Sequence, residues 1–263
     1  MSLQLEPFWL GLLTVAAIAY ALIALPLLHR GRWPRRRVAF WYGGLLLVSF
    51  GFVGPAAQRT HEDFPAHVVN HLLLGMAAPI WFALSAPVSL VLRALPVQDG
   101  RRLVRILSTR PVWLGTHIVT AALLSVGGMW VLYLSPLYGL MHEHAWIEIS
   151  VQFHTLIAGY LFASAAIGLD PAPHRPSRTL QAAVLIVAFA GHATLARILY
   201  VNEPEGVPAE QGEYGSQLMY YGGDLLEVAL IAIFCWQWYR ATRPRPLLAA
   251  ETSVTTVRSG MSA

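Results

Sequence analysis

The amino-acid sequence predicts an all-α polytopic membrane protein of seven transmembrane helices, with the N-terminus outside and the C-terminus in the cytoplasm. Three observations predict it. The 263 residues are 56% hydrophobic and only 12% charged, where a soluble domain carries about 25% charged residues. Apolar stretches recur along the chain, each near the ~20 residues that a helix needs to cross a bilayer. Arginine alternates from loop to loop: the loops after the first, third and fifth stretches, with the C-terminal tail, hold 16 of the 18. The positive-inside rule places those loops in the cytoplasm.

In chain order, residues 8–28 (FWLGLLTVAAIAYALIALPLL) form the first span. No small-residue cleavage site follows, so the segment reads as an uncleaved helix. After the basic loop HRGRWPRRR comes span two, 38–58, then the polar turn RTHEDFPA and span three, 66–90. Arg93, Arg101, Arg102, Arg105 and Arg110 precede span four, 111–134. Spans five, six and seven are 145–169, 179–200 and 216–238. The loop before the last, NEPEGVPAEQGEYG, carries four glutamates and no positive charge. Residues 1–240 read as a single domain, and 241–263 as a disordered cytoplasmic tail rich in Ser, Thr and Arg.

Composition narrows the chemistry. All the basic residues are arginine, which excludes a lysine Schiff base or a lysine nucleophile. A single cysteine, Cys235, excludes an internal disulfide or a CxxC redox pair. The arginines sit in short loops where topology accounts for them, so the implied partner is membrane lipid and not nucleic acid.

Seven of the ten histidines fall on or near the outer face of this topology. His67 and His71, four residues apart, lie on one side of a helix about 6 Å apart along its axis. At ~1.5 Å of rise per residue, His71, His154, His192 and Asp224 come from four different spans to roughly 8–13 Å below the outer surface. His61, His67, Met141, His142 and His144 form the rim above them, and Met219 lies between rim and cluster. Imidazole with thioether suits copper; zinc would take the imidazoles with Asp224 and have no use for methionine. The candidate metal ligands are therefore His67, His71, His154, His192, Asp224 and Met219, with His61, Met141, His142 and His144 secondary.

Each has a structural reading beside it. Histidines in a bundle also hydrogen-bond across helices, and loop residues such as His142 and His144 are by default solvated. His117 lies away from the group and reads as structural, and Met76 and Met129 read as core filler. Asp224 and Glu227 share a helical face, with Arg197 as the available counter-charge for a salt bridge.

The stretch AHVVNHLLLGMAAPIWFALSAPVSLVLRALP, followed in order by SPLYGLMHEH, QFHTLIAGYLFASAAIGLDPAPHRP and GHATLARILY, resembles the multi-span CtaG-like cytochrome c oxidase assembly factors over roughly residues 40–240. Two departures stand out. The chain reads Leu134-Ser135-Pro136 where that family usually has a histidine before the proline. It reads Gln211-Gly212-Glu213-Tyr214-Gly215-Ser216 at the family's Asp-Gln-Gln-Leu-Gly-Gly entrance to the last span. Asp224 takes the place of the family's acid. The resemblance implies a non-enzymatic role in building the terminal oxidase in the plasma membrane of a prokaryote. Oxidase subunits would be the partners, and copper would be supplied from the outer side. An intramembrane zinc hydrolase, a metal transporter and a haem protein are the other classes open to such a histidine set. The apolar inner halves of the spans count against transport.

Overall fold

Lipid offers the backbone no hydrogen-bond partner, so an apolar chain must satisfy its own amides within helices or a closed barrel. The computed structural model describes residues 6–60, 63–171 and 176–243, and within these the chain is helical, with no strand. The helices are α1 (Glu6–His29), α2 (Arg35–Phe52), α3 (Gly54–Arg59), α4 (Phe64–Ala94), α5 (Val97–Leu107), α6 (Arg110–Thr116), α7 (Ile118–Leu134), α8 (Leu137–Glu143), α9 (Ala145–Ile167), α10 (Arg178–Val201) and α11 (Ala209–Thr242).

Five of them, α1, α4, α9, α10 and α11, are long and apolar enough to cross a membrane, and α6 with α7, bent by 55°, would make a sixth crossing. α2 stands where the second span is expected but is 18 residues long and opens on three arginines. It ends where Val53 turns extended, and the remainder of the expected span forms the short α3. α4 is the central element, packed against α2, α9 and α11, while α10 lies along α11 and α7 against α9.

Three local breaks shape α4 and α7. Pro79 has no N–H to give the Gly75 carbonyl one turn back. At that point Leu73–Ala77 widens into a π turn, with the Ala78 N–H bonded to Leu73 O. Gly159 of α9 sits against the Gly75 carbonyl so closely that a Cβ there would run into the oxygen. A second π turn, Leu123–Gly127, interrupts α7. Its Leu124 carbonyl accepts from Nε2 of His154 at 3.0 Å. The third break is Ala86, held in the left-handed region (φ 52°) before Pro87. There the Asp170 carboxylate accepts from the backbone N–H of Ser89 and from its hydroxyl, each at 2.7 Å, and from the Val88 N–H at 3.3 Å. His117 starts α7 as its N-cap, Nδ1 accepting from the Val119 N–H at 3.4 Å.

α11 begins at Ala209, seven residues ahead of the expected start at 216. At ~1.5 Å per residue it is about 50 Å long, well beyond the ~30 Å hydrocarbon core of a bilayer. The acidic loop is correspondingly shorter, and Gln211 is helical. Its side-chain oxygen accepts the Phe64 N–H at 3.1 Å, beside Asp63, whose carboxylate accepts from the Ala66 N–H at 2.6 Å. Both cap α4, which places His67 and His71 in its first two turns.

The core divides into two main clusters. Phe64, Val68, Met129, Tyr133, Leu195 and Met219 pack at the histidine-rich end, and Ile118, Phe162, Ile167, Leu185 and Phe234 at the other.

Candidate functional site

At the histidine-rich end, α4, α8 and α9 enclose a vestibule of about 30 Å³ lined among others by His67, Asn70, His71, Met141, His142 and Glu148. Nε2 of His67 lies 3.1 Å from the Tyr133 hydroxyl, with the Tyr138 and His142 rings at 5.2 and 6.4 Å between centroids. Nδ1 of His142 lies 2.9 Å from the Tyr138 carbonyl. As a carbonyl can only accept, Nδ1 carries the proton, and in the neutral ring Nε2 carries the lone pair. Burial pushes the Tyr138 hydroxyl above its usual pKa, so it remains a neutral wall.

Below the vestibule lies a second cavity of about 40 Å³, lined by His71, Met76, Met129, His192 and Glu227 together with apolar side chains and Ser125. That volume suits one small particle, since a water occupies ~30 Å³ in the liquid. His71 lines both cavities. His71, His192 and Glu227 are only 8%, 2% and 6% exposed. The His71 and His192 ring centroids are 6.4 Å apart, and the Nε2 atoms of both rings are buried without a hydrogen-bond partner. Nδ1 of His192 lies 2.9 Å from Oε1 of Glu227; the pair is in contact but not aligned as a hydrogen bond, which leaves Oε1 unsatisfied as well.

The candidate ligands thus separate. His67, His71, Met141 and His142 share the vestibule, and His71 and His192 share the lower cavity. His154 is exposed on an open groove of about 650 Å³ between α7 and α9 and is engaged with the Leu124 carbonyl. Asp224 is half-buried and lines neither cavity. Met219 is fully buried among Phe64, Val68 and their neighbours. His144 is exposed, 6.4 Å from the Trp146 ring, and His61 lies outside the described residues. Arg197 donates to the Tyr220 hydroxyl at 3.0 Å. Among the described residues no three His, Cys, Asp or Glu side chains gather closely enough to hold one ion. A metal here would depend on the thioethers.

Two cavity-lining methionines, Met76 and Met129, and two carboxylates, Glu148 and Glu227, lie outside the expected ligand set. Met76 belongs to the first π turn and Met129 follows the second. The acid that reaches His192 is Glu227, one turn beyond Asp224. The buried residues of α11 include Gly215, Met219, Gly223, Glu227, Leu230 and Phe234, a three-and-four spacing that points to Glu227 as the inward acid.

A family model described as cytochrome c oxidase caa3 assembly factor (Caa3_CtaG) matches residues 18–241. The chain belongs to this family. The match takes in the second half of α1, ahead of the residues that carry the motif resemblance. Among curated proteins, uncharacterized proteins of Mycobacterium bovis and Mycobacterium tuberculosis are each 31% identical over 252 residues, covering 87% of this chain and 38% of the relative. An uncharacterized protein of Mycobacterium leprae is 31% identical over 170 residues, 61% of this chain and 26% of its own. The chain therefore spans well under half the length of these relatives. No solved structure matches it significantly.

Proposed function

We propose that this caa3 assembly factor is a non-enzymatic membrane protein that handles copper for cytochrome c oxidase at its histidine-rich end. In this reading α2 and the bent α6–α7 pair also cross the plasma membrane. That makes seven spans, and the alternation of arginine puts the N-terminus and the histidine-rich end outside. The single observation that carries the reading is the vestibule, where His67, Met141 and His142 converge from α4 and α8 and open onto His71. Imidazole and thioether are donors for Cu(I), and exchange of one such ligand for another can pass the ion to a client subunit. Family membership supplies the client. The zinc-hydrolase reading gains nothing from the geometry, because a water-activating zinc uses three closely gathered His or carboxylate ligands.

The test is deletion of the gene, followed by metal and haem analysis of the oxidase. Loss of oxidase copper is expected, restored by the wild-type gene and not by a His67→Ala/His142→Ala variant present at normal abundance. Full copper content in the deletion strain would remove the reading. So would failure of that variant only through loss of the protein itself.

A further inference from the structure

The vestibule leaves the lower cavity unused, and that cavity holds the most unusual donors in the molecule. We infer that it is a second seat for one Cu(I) ion, bound by His71, His192, Met76 and Met129; this rests on copper being the cargo of the vestibule.

Two buried imidazole nitrogens without partners, on different helices and lining one cavity, are each unfavourable by about 1–3 kcal/mol when nothing satisfies them. Their spacing fits a shared ion. Metal–nitrogen bonds of ~2.0–2.1 Å put the centroids of two imidazoles on one ion about 5 Å apart at a tetrahedral angle and about 6 Å apart as that angle opens. These rings are 6.4 Å apart, so the two imidazoles bind at a wide angle with the thioethers completing the shell. The volume of about 40 Å³ admits one ion.

The rest of the lining decides which ion. Thioethers are soft donors that select Cu(I), and hard dications prefer carboxylate and water. No three His, Cys, Asp or Glu among the described residues are close enough to form a competing hard site. Glu227 contributes in two ways from beside His192. Its carboxylate favours the proton on Nδ1 and so leaves the Nε2 lone pair toward the cavity. Its negative charge also balances a monovalent ion withdrawn from water.

Both π turns border the cavity, through Gly75 and Met76 on α4 and through Ser125 and Val126 on α7. Such turns occur frequently at functional sites, where they redirect side chains. His71, common to both cavities, would hand the ion from the vestibule to the lower seat.

The experiment uses the full-length protein purified in detergent under anaerobic, reducing conditions. It is titrated with Cu(I) against a chromophoric chelator and examined by X-ray absorption at the copper edge. Met76→Leu/Met129→Leu preserves volume, and such swaps usually cost less than ~1.5 kcal/mol; its thermal midpoint is recorded alongside. The expected result is loss of about one equivalent of copper per chain, with sulfur scattering reduced. The vestibule variant His67→Ala/Met141→Leu retains that sulfur-bound equivalent. If the Met76/Met129 variant binds copper as the wild type does, the lower seat is overturned and the cavity holds water only. Loss confined to the vestibule variant overturns the seat while leaving the vestibule reading intact. No Cu(I) binding by the wild type removes both.

Discussion

Nδ1 of His192 lies 2.9 Å from Oε1 of Glu227 across the interface of α10 and α11, with both side chains almost wholly sealed from the surface. Removing one member leaves the other buried alone. His192→Leu and Glu227→Leu are each expected to destabilise the bundle by about 3–5 kcal/mol, whereas the double leucine variant loses much less than the sum. Thermal unfolding of the four proteins in one detergent measures the coupling. Additive losses would show that the two groups do not act as a pair.

The same interface depends on Gly223, where a Cβ would run into the His192 ring. A packed interior forced to admit a methyl group loses about 1–3 kcal/mol. Gly223→Ala is therefore expected to lower the thermal midpoint and to disturb copper binding together. Gly11→Ala, on an open face of α1 with nothing within 4 Å, should change neither. An unperturbed Gly223→Ala protein would mean that α10 and α11 are not packed as closely as described.

Hydropathy carried much of the helical architecture, because lipid imposes its length and polarity rules on every crossing. The helical chain, the two basic connections and the central position of AHVVNHLLL all follow from residues visible in the sequence. Facing was harder to read. Depth counted along a helix puts Asp224 level with the histidines, but depth is blind to rotation, and Glu227 is the side chain that turns inward. Met76 illustrates a second obstacle. At ~100° per residue it lies about 140° around an ideal helix from His71, so α periodicity separates them. The π turn at Leu73–Ala77 is the feature that brings both to one cavity. Pro79, four residues after Gly75, was its one legible sign. His154 was legible as a polar side chain among apolar ones, but its partner, a backbone carbonyl freed by a second π turn, has no side-chain signature at all.

Asp170 supplies a third test, at the opposite end of the bundle. Its carboxylate holds the Val88 and Ser89 amides where α4 restarts after Ala86. Loss of an N-terminal cap costs about 0.5–2 kcal/mol. Asp170→Ala should therefore destabilise by that order and speed proteolysis around α5. Asp170→Asn, which keeps one acceptor oxygen, should recover most of the loss. Equal behaviour of the two variants would assign Asp170 to charge and not to capping.

His154 gives the sharpest division between a ligand and a structural histidine. Its Nε2 donates to the Leu124 carbonyl at 3.0 Å. Nε2 therefore carries the donated proton and has no lone pair for a metal; Nδ1 keeps one, but His154 lines neither the vestibule nor the lower cavity. Deleting the donor leaves the carbonyl of the π turn unsatisfied, an effect of about 1–3 kcal/mol. His154→Ala should therefore lower stability, and His154→Gln, whose amide can still donate, should restore much of it. Oxidase copper content, compared at equal abundance of this protein, should be unchanged in both. A stable His154→Gln protein that leaves the oxidase short of copper would return His154 to the metal ligands, through the Nδ1 lone pair that the bond to Leu124 leaves free.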